Sequence, residues 1–155
     1  RQSRADIDDV LAYSPSAANV CVIFTLDGGV LPTESDCTAM QTYLSDRTIR
    51  PVADRVTVSA PSEQSFSISL SYYISRADSA QAATIQAAVG KAIDEYVAWQ
   101  RSIGRDVNPS ELIYRIMAAG ARRVALTSPA YATVEATKIA KLATKTVSYG
   151  GLEDK

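Results

Sequence analysis

The sequence predicts an α+β fold: a ferredoxin-like split βαβ core with an extra helix and C-terminal strands. Three observations lead there. Apolar, β-branched runs and amphipathic runs follow one another in the order strand, helix, strand, strand, helix, helix, strand, strand. One segment, SFSISLSYYIS at 65–75, alternates serine with large apolar residues, so that one face packs on a core while the other does not. A length of 155 residues, 46% of them hydrophobic, suits one domain with ample material for a core.

Residues 1–18 read as a connector from a missing N-terminal region, with a short amphipathic piece around Ile7, Val10 and Leu11. The absence of an initiator Met fits a piece of a longer protein. NVCVIFTL at 19–26 is a buried strand closed by Asp27-Gly28-Gly29. Thr33 then serves as N-cap with Asp36 at N3, and Cys37, Met40 and Leu44 recur at helical spacing, predicting a helix over about 34–47. After Ile49-Arg50-Pro51, Val56 and Val58 fall in phase within a strand at 54–60, and Pro61-Ser62-Glu63 turns into the serine-rich strand. Phe66, Ile68, Leu70, Tyr72 and Ile74 share its buried parity.

Asp78 and Gln81 resemble a capping box for a helix over about 79–103, whose stripe is Ile85, Val89, Ile93, Tyr96 and Val97, with Gly104 closing it. Asn108 as N-cap, Pro109 at N1, Glu111 at N3 and a Val107–Leu112 staple open another helix, about 109–119, stopped by Gly120. ARRVALT gives a strand before Pro129, and TKTVSY at 144–149 gives the last one. Between them, 133–142 is ambiguous: its Ala, Lys and Glu favour helix, while Thr133, Val134 and Thr137 oppose it. The expected organisation is a connector at 1–18, the ferredoxin-like domain at 19–128 and an extension with a final strand at 129–155. Its two helices should cover one sheet face and leave the serine-bearing parity open.

Composition removes several function classes. A formal net charge of −1 with no long Lys/Arg run lacks the footprint of a nucleic-acid or anionic-membrane binder. Zero histidines eliminate every Ser-His or Cys-His pair, every histidine base and every histidine metal ligand. Cys21 and Cys37 cannot make a four-ligand zinc site and read as two buried thiols in a reducing compartment. No apolar run reaches the length of a membrane span, and residues 1–13 lack a signal-peptide core. No catalytic residue, cofactor site or metal site is predicted.

The remaining motifs each have a plain reading. Asp27-Gly28-Gly29 lacks the G-x-G-x-x-G pattern and the P-loop Lys-Ser/Thr, and reads as a turn. Asp8-Asp9 and Asp94-Glu95 are adjacent pairs; on a helix such neighbours point about 100° apart, which suits solvated surface better than a shared substrate. Tyr73 alone among Phe66, Tyr72 and Tyr73 stays off the buried parity, too little for base stacking. Trp99 lies at the edge of the apolar stripe, as a core-margin residue or an interface anchor. Arg122 and Arg123 solvate a strand edge or make a subunit contact. Tyr73, Trp99, Arg122 and Arg123 are therefore the interface candidates.

Four stretches taken together resemble the C-terminal part of the baseplate J-like family of contractile phage tails and related injection particles. They are the strand running into TLDGGVLPTESD, the segment RPVADRVTVSAPSEQSFSISLSYYI, the helix GRDVNPSELIYRIMAAG and the strand ARRVALTSPA, in that order over about 19–150. Ala121 after Gly120 and Ala143 after Leu142 depart from the glycines expected there. The resemblance implies structural work without catalysis: a wedge component contacting other wedge subunits, neighbouring copies in a ring, and sheath or hub proteins, in the host cytoplasm during assembly and in the particle afterwards. Two rival readings are a ferredoxin-like small-ligand-binding regulatory domain and a carboxylate-only hydrolase.

Overall fold

The structure, a computed structural model, describes residues 5–46 and 55–154. The chain runs β1 (Ile7–Ser16), β2 (Asn19–Leu26), α1 (Glu34–Leu44), β3 (Arg55–Ser59), β4 (Ser62–Ser75), α2 (Ala82–Gln100), α3 (Pro109–Ala118), β5 (Arg123–Ser128) and β6 (Lys138–Glu153). The fold is mixed α+β, with the strands in two three-stranded sheets ordered β1-β2-β3 and β5-β4-β6.

That pairing corrects the expected single ferredoxin-like sheet. β2 has β1 antiparallel on one edge and β3 parallel on the other. β4 has β5 antiparallel on one edge and β6 parallel on the other. Both central strands are thus flanked on both sides and have no edge left to share. Two segments read otherwise in the sequence bring this about. The expected connector contains β1, which closes onto β2 through Ala17-Ala18, with Ala18 at φ +60°. The ambiguous 133–142 stretch supplies the start of β6, where Lys138–Leu142 pair with Ser62–Phe66 and tertiary pairing overrides helix propensity. Residues 138–153 are consequently one strand paired along the whole of β4, longer than the expected final strand at 144–149.

Helix boundaries follow local chemistry. Thr33 and Asp36 form the reciprocal capping box, Asp36 Oδ2 accepting from Thr33 N at 2.9 Å and Thr33 Oγ1 from Asp36 N at 3.2 Å. Asn108 Oδ1 accepts from Ser110 N, and Pro109 occupies the first helical position of α3. At the end of α3, Ala121 N donates to Ile116 O and Gly120 N to Met117 O, the crossed pair of a Schellman motif. The expected box at Asp78 and Gln81 is not formed; residues 76–81 make a 3₁₀ turn capped by Ser75, and α2 begins at Ala82. α2 also stops at Gln100, three residues early, because Gln100 Nε2 donates to the carbonyls of Arg105 and Asp106 and turns the chain aside. Residue 47 of the first expected helix, Asp54 of the second expected strand and Ile49-Arg50-Pro51 lie outside the described residues.

Two separate cores result. Ile7, Phe24 and Met40 form the smaller, with Leu26, Cys37, Leu44 and Val58 against it, between the first sheet and α1. The larger gathers the buried parity of β4 with Val89, Ile93 and Tyr96 of α2 and Leu112 and Ile116 of α3. Val107 and Leu112, the expected staple, are both buried there. α1 also protects the outer edge of β3: Gln41 Nε2 donates to Val56 O at 2.6 Å, and Gln41 Oε1 accepts from Val58 N at 2.7 Å.

Candidate interaction site

Three of the four interface candidates converge at one end of the second sheet. β4 places Tyr73 on the parity opposite its buried residues, and β5 pairs Arg123 directly beside it. The Arg123 guanidinium carbon stands 3.9 Å from the centre of the Tyr73 ring, and Arg122 N donates to Tyr73 O at 2.8 Å. Arg123 then reaches across β4 to β6, where Nε and Nη2 grip Glu153 at 2.8–3.0 Å. This fork holds the Glu153 carboxyl below its ordinary value and the Arg123 guanidinium above its own.

β6 makes room for that stack by a bulge. Tyr72 aligns with Tyr149 and Ile74 with Leu152, so two glycines, Gly150 and Gly151, lie opposite the single residue Tyr73. The Tyr73 ring rests on Gly150: a Cβ there would lie 2.4 Å from Tyr73 Cε1 and 2.5 Å from Cζ. Arg76 pairs with Asp154 at 2.7 Å on the same rim. Arg122, Arg123, Glu153 and Asp154 line a shallow depression of about 600 Å³. The sequence reading missed Gly150, Glu153, Asp154 and Arg76. Their signal was weak because the register across a two-glycine bulge is not visible in β6 alone.

Trp99 is elsewhere. Half-buried on α2, it lies 6.0 Å from the Tyr96 ring and between two guanidiniums, Arg105 at 4.4 Å and Arg115 at 5.5 Å from its centre. Arg105 Nη1 also donates to Trp99 O, and Arg115 is tied to Glu111 at 2.7 Å. Its bulk therefore locks α2, α3 and their connecting loop together. Beneath it, Tyr96 donates to Asn108 O at 3.1 Å, and burial pushes its phenol up to about 12.

The other singled-out residues are used locally. Asp27-Gly28-Gly29 is a tight turn. Asp9 accepts from Ile103 N, and Asp94 and Glu95 pair with different lysines, Lys145 and Lys91. Phe66 and Tyr72 are buried. Cys21 and Cys37 are free and half-buried rather than fully buried, and desolvation raises the Cys37 thiol. Asp106 accepts from Tyr131 Oη at 2.6 Å and from Val134 N at 2.9 Å, pinning the loop that leads into β6. Among the described residues no cluster of three or more acidic or cysteine side chains is placed to hold a metal ion, and no helix is long and apolar enough to cross a membrane.

The serine parity of β4 lies on the sheet face away from α2 and α3. Across the ladder Ser67, Ser69 and Ser71 align with Thr144, Thr146 and Ser148 of β6. The result is a row of hydroxyl side chains ending in the Tyr73–Arg123 stack, with aromatic and arginine side chains of the kind enriched in protein interfaces.

Residues 67–149 match the family model of the baseplate J-like protein C-terminal domain, and residues 3–60 match that of the baseplate J-like central domain. Baseplate protein J of Escherichia phage P2 is 27% identical over 130 residues, which cover 83% of this chain and 42% of that protein. A chain in the cryo-EM structure of the anti-feeding prophage baseplate has the same fold, with a TM-score of 0.58 at 13% identity over 91% of this chain and 34% of that one. The chain thus spans less than half the length of either relative.

Proposed function

The chain belongs to the baseplate J-like protein family, and from that premise we propose that it is a structural component of the baseplate wedge of a contractile phage tail or related injection particle. It acts through protein contacts rather than catalysis. The observation that carries this reading is the match of two consecutive family domains, central and C-terminal, along one chain. Its partners are other wedge subunits, neighbouring copies in a ring, and sheath or hub proteins. It joins them in the host cytoplasm during assembly and stays in the baseplate of the finished particle. The contact surface is the end of the second sheet, where Arg122 and Arg123 line an exposed depression and Tyr73 stacks against Arg123. Trp99 serves as the inner support of α3 rather than as an anchor for a partner.

Particle assembly in the native host tests the reading. Tyr73→Ala combined with Arg122→Glu, produced in place of the natural protein, should leave the fold intact by circular dichroism and reduce complete particles in electron micrographs at least tenfold. Undiminished numbers of complete particles from a folded variant refute this surface as the contact.

A further inference from the structure

The chain passes from the first sheet to the second through only two residues, Ala60 and Pro61. Among the described residues the two cores on either side share no side chain. What joins the two halves includes a set of polar contacts gathered on the three residues after α2. Ile103 N donates to Asp9 Oδ2 at 3.0 Å. Arg101 Nε donates to Gly29 O at 2.9 Å, and the other arm of the guanidinium, Nη2, lies 3.5 Å from Glu63 Oε1. Lys141 Nζ holds the second Glu63 oxygen at 2.6 Å, which orients the carboxylate toward Arg101. The approach is close: a Cβ on Gly29 would stand 2.5 Å from Arg101 Cβ.

Asp9 reaches this seam because of an irregularity in β1. Ile7 aligns with Leu26 and Asp9 with Thr25, so Asp8 is an extra residue. Without that bulge Asp9 would share the face of Ile7, toward α1; with it, Asp9 points to the opposite face. On that face Ile23 is 3% exposed and Thr25 0%, and the Thr25 hydroxyl has no hydrogen-bond partner. Charge-assisted hydrogen bonds of this kind suit an interface between domains, which is more polar than a continuous core.

We propose that β1–β3 with α1 and β4–β6 with α2 and α3 are two rigid units, hinged at Ala60–Pro61 and closed by a latch of Arg101 on Gly29 and Asp9 on Ile103. The latch opens without unfolding either unit. This inference does not depend on the baseplate reading. It rests on the seam alone.

Thiol labelling measures the opening. In a Cys21→Ser/Cys37→Ser background, a single probe at Thr25→Cys reports on the seam, while Met40→Cys and Val89→Cys report on the two cores. Thr25→Cys should react with an aromatic disulfide reagent faster than either core probe. Adding Arg101→Met should speed it about tenfold or more, as expected for loss of charge-assisted hydrogen bonds, with both core probes unchanged. Equal rates at all three positions would mean that the seam opens only by global unfolding and would overturn the proposal. So would an Arg101→Met rate equal to that of the parent. Small-angle scattering provides a test without cysteine probes: Arg101→Met in the otherwise natural chain should raise the radius of gyration at unchanged circular dichroism. An unchanged radius rejects the latch.

Discussion

Alanine at position 150 should destabilise the protein in the presence of Tyr73 and stabilise it in its absence. In a strand interior, glycine is less favourable than alanine by about 0.5–1 kcal/mol, so the change alone is a gain. Here the new methyl would lie 2.4 Å from a ring carbon of Tyr73, far inside van der Waals contact. The ring has little freedom to retreat, because the Arg123 guanidinium covers it at 3.9 Å and is itself clamped to Glu153. Overpacking of this kind costs about 1–3 kcal/mol, so Gly150→Ala should lose about 1 kcal/mol net. At this chain length that corresponds to a fall in Tm of roughly 2–4 °C. In a Tyr73→Ala background the clash is gone, and the same substitution should gain about 0.5–1 kcal/mol. Urea unfolding of the four proteins in the cycle gives the coupling directly. If Gly150→Ala has the same sign and size in both backgrounds, the ring does not rest on Gly150 and the geometry assigned to this end of the sheet is wrong.

Further outcomes follow from the same reasoning. Ala18 holds a left-handed φ of +60° in the β1–β2 turn, so Ala18→Gly should raise the unfolding free energy by about 0.5–1 kcal/mol and the urea midpoint with it; an unchanged midpoint argues against that turn. Ile116, fully buried in the larger core, should cost about 2–5 kcal/mol as Ile116→Ala, and a loss under 1 kcal/mol would place it outside that core. Tyr96→Phe removes the bond to Asn108 O and should cost about 0.5–1.5 kcal/mol at neutral pH. Because the folded Tyr96 phenol is raised to about 12, its stabilising contribution is complete below pH 10 and disappears as pH rises through 12; an alkaline limb identical in wild type and Tyr96→Phe contradicts this. In acid the sign reverses: the Asp106 carboxyl is held below its ordinary 3.8 by the Tyr131 hydroxyl, and that of Glu63 below 4.5 by Lys141. Their contribution is present above those ordinary values and lost as pH falls through the lower folded ones. The unfolding midpoint should therefore drop as pH falls below those ordinary values, less steeply in Asp106→Asn, and a midpoint independent of pH there speaks against both contacts.

What could be read from residues alone was local. The serine alternation at 65–75 gave the phase of β4 residue by residue, because a period of two leaves no other consistent burial. Thr33 with Asp36, and Asn108 with Pro109, marked helix starts because each supplies the hydrogen bond or fixed φ that a helix end needs. β1 escaped because its turn is Ala17-Ala18, with no Asn-Gly or Asp-Gly, and because its outer residues are largely exposed. The start of β6 escaped because Ala and Lys suit a helix, and only the waiting edge of β4 draws them into a strand. Missing β1 and the start of β6, of which 144–149 alone read as strand, led to one sheet where the protein has two. The candidate site was legible by half for the same reason. Tyr73 and Arg123 declared themselves by parity and position, whereas Gly150 and Glu153 come into place only through long-range register.

The central claim, a structural role in a baseplate, is tested most directly by tagging the protein at its own genomic locus and identifying by mass spectrometry what is captured with it from the native cells. Recovery of sheath, tube, spike or other wedge proteins in stable proportion is the predicted result. Recovery of the protein alone, or with metabolic enzymes in place of tail components, would contradict the account and leave the likeness to baseplate proteins as one of fold.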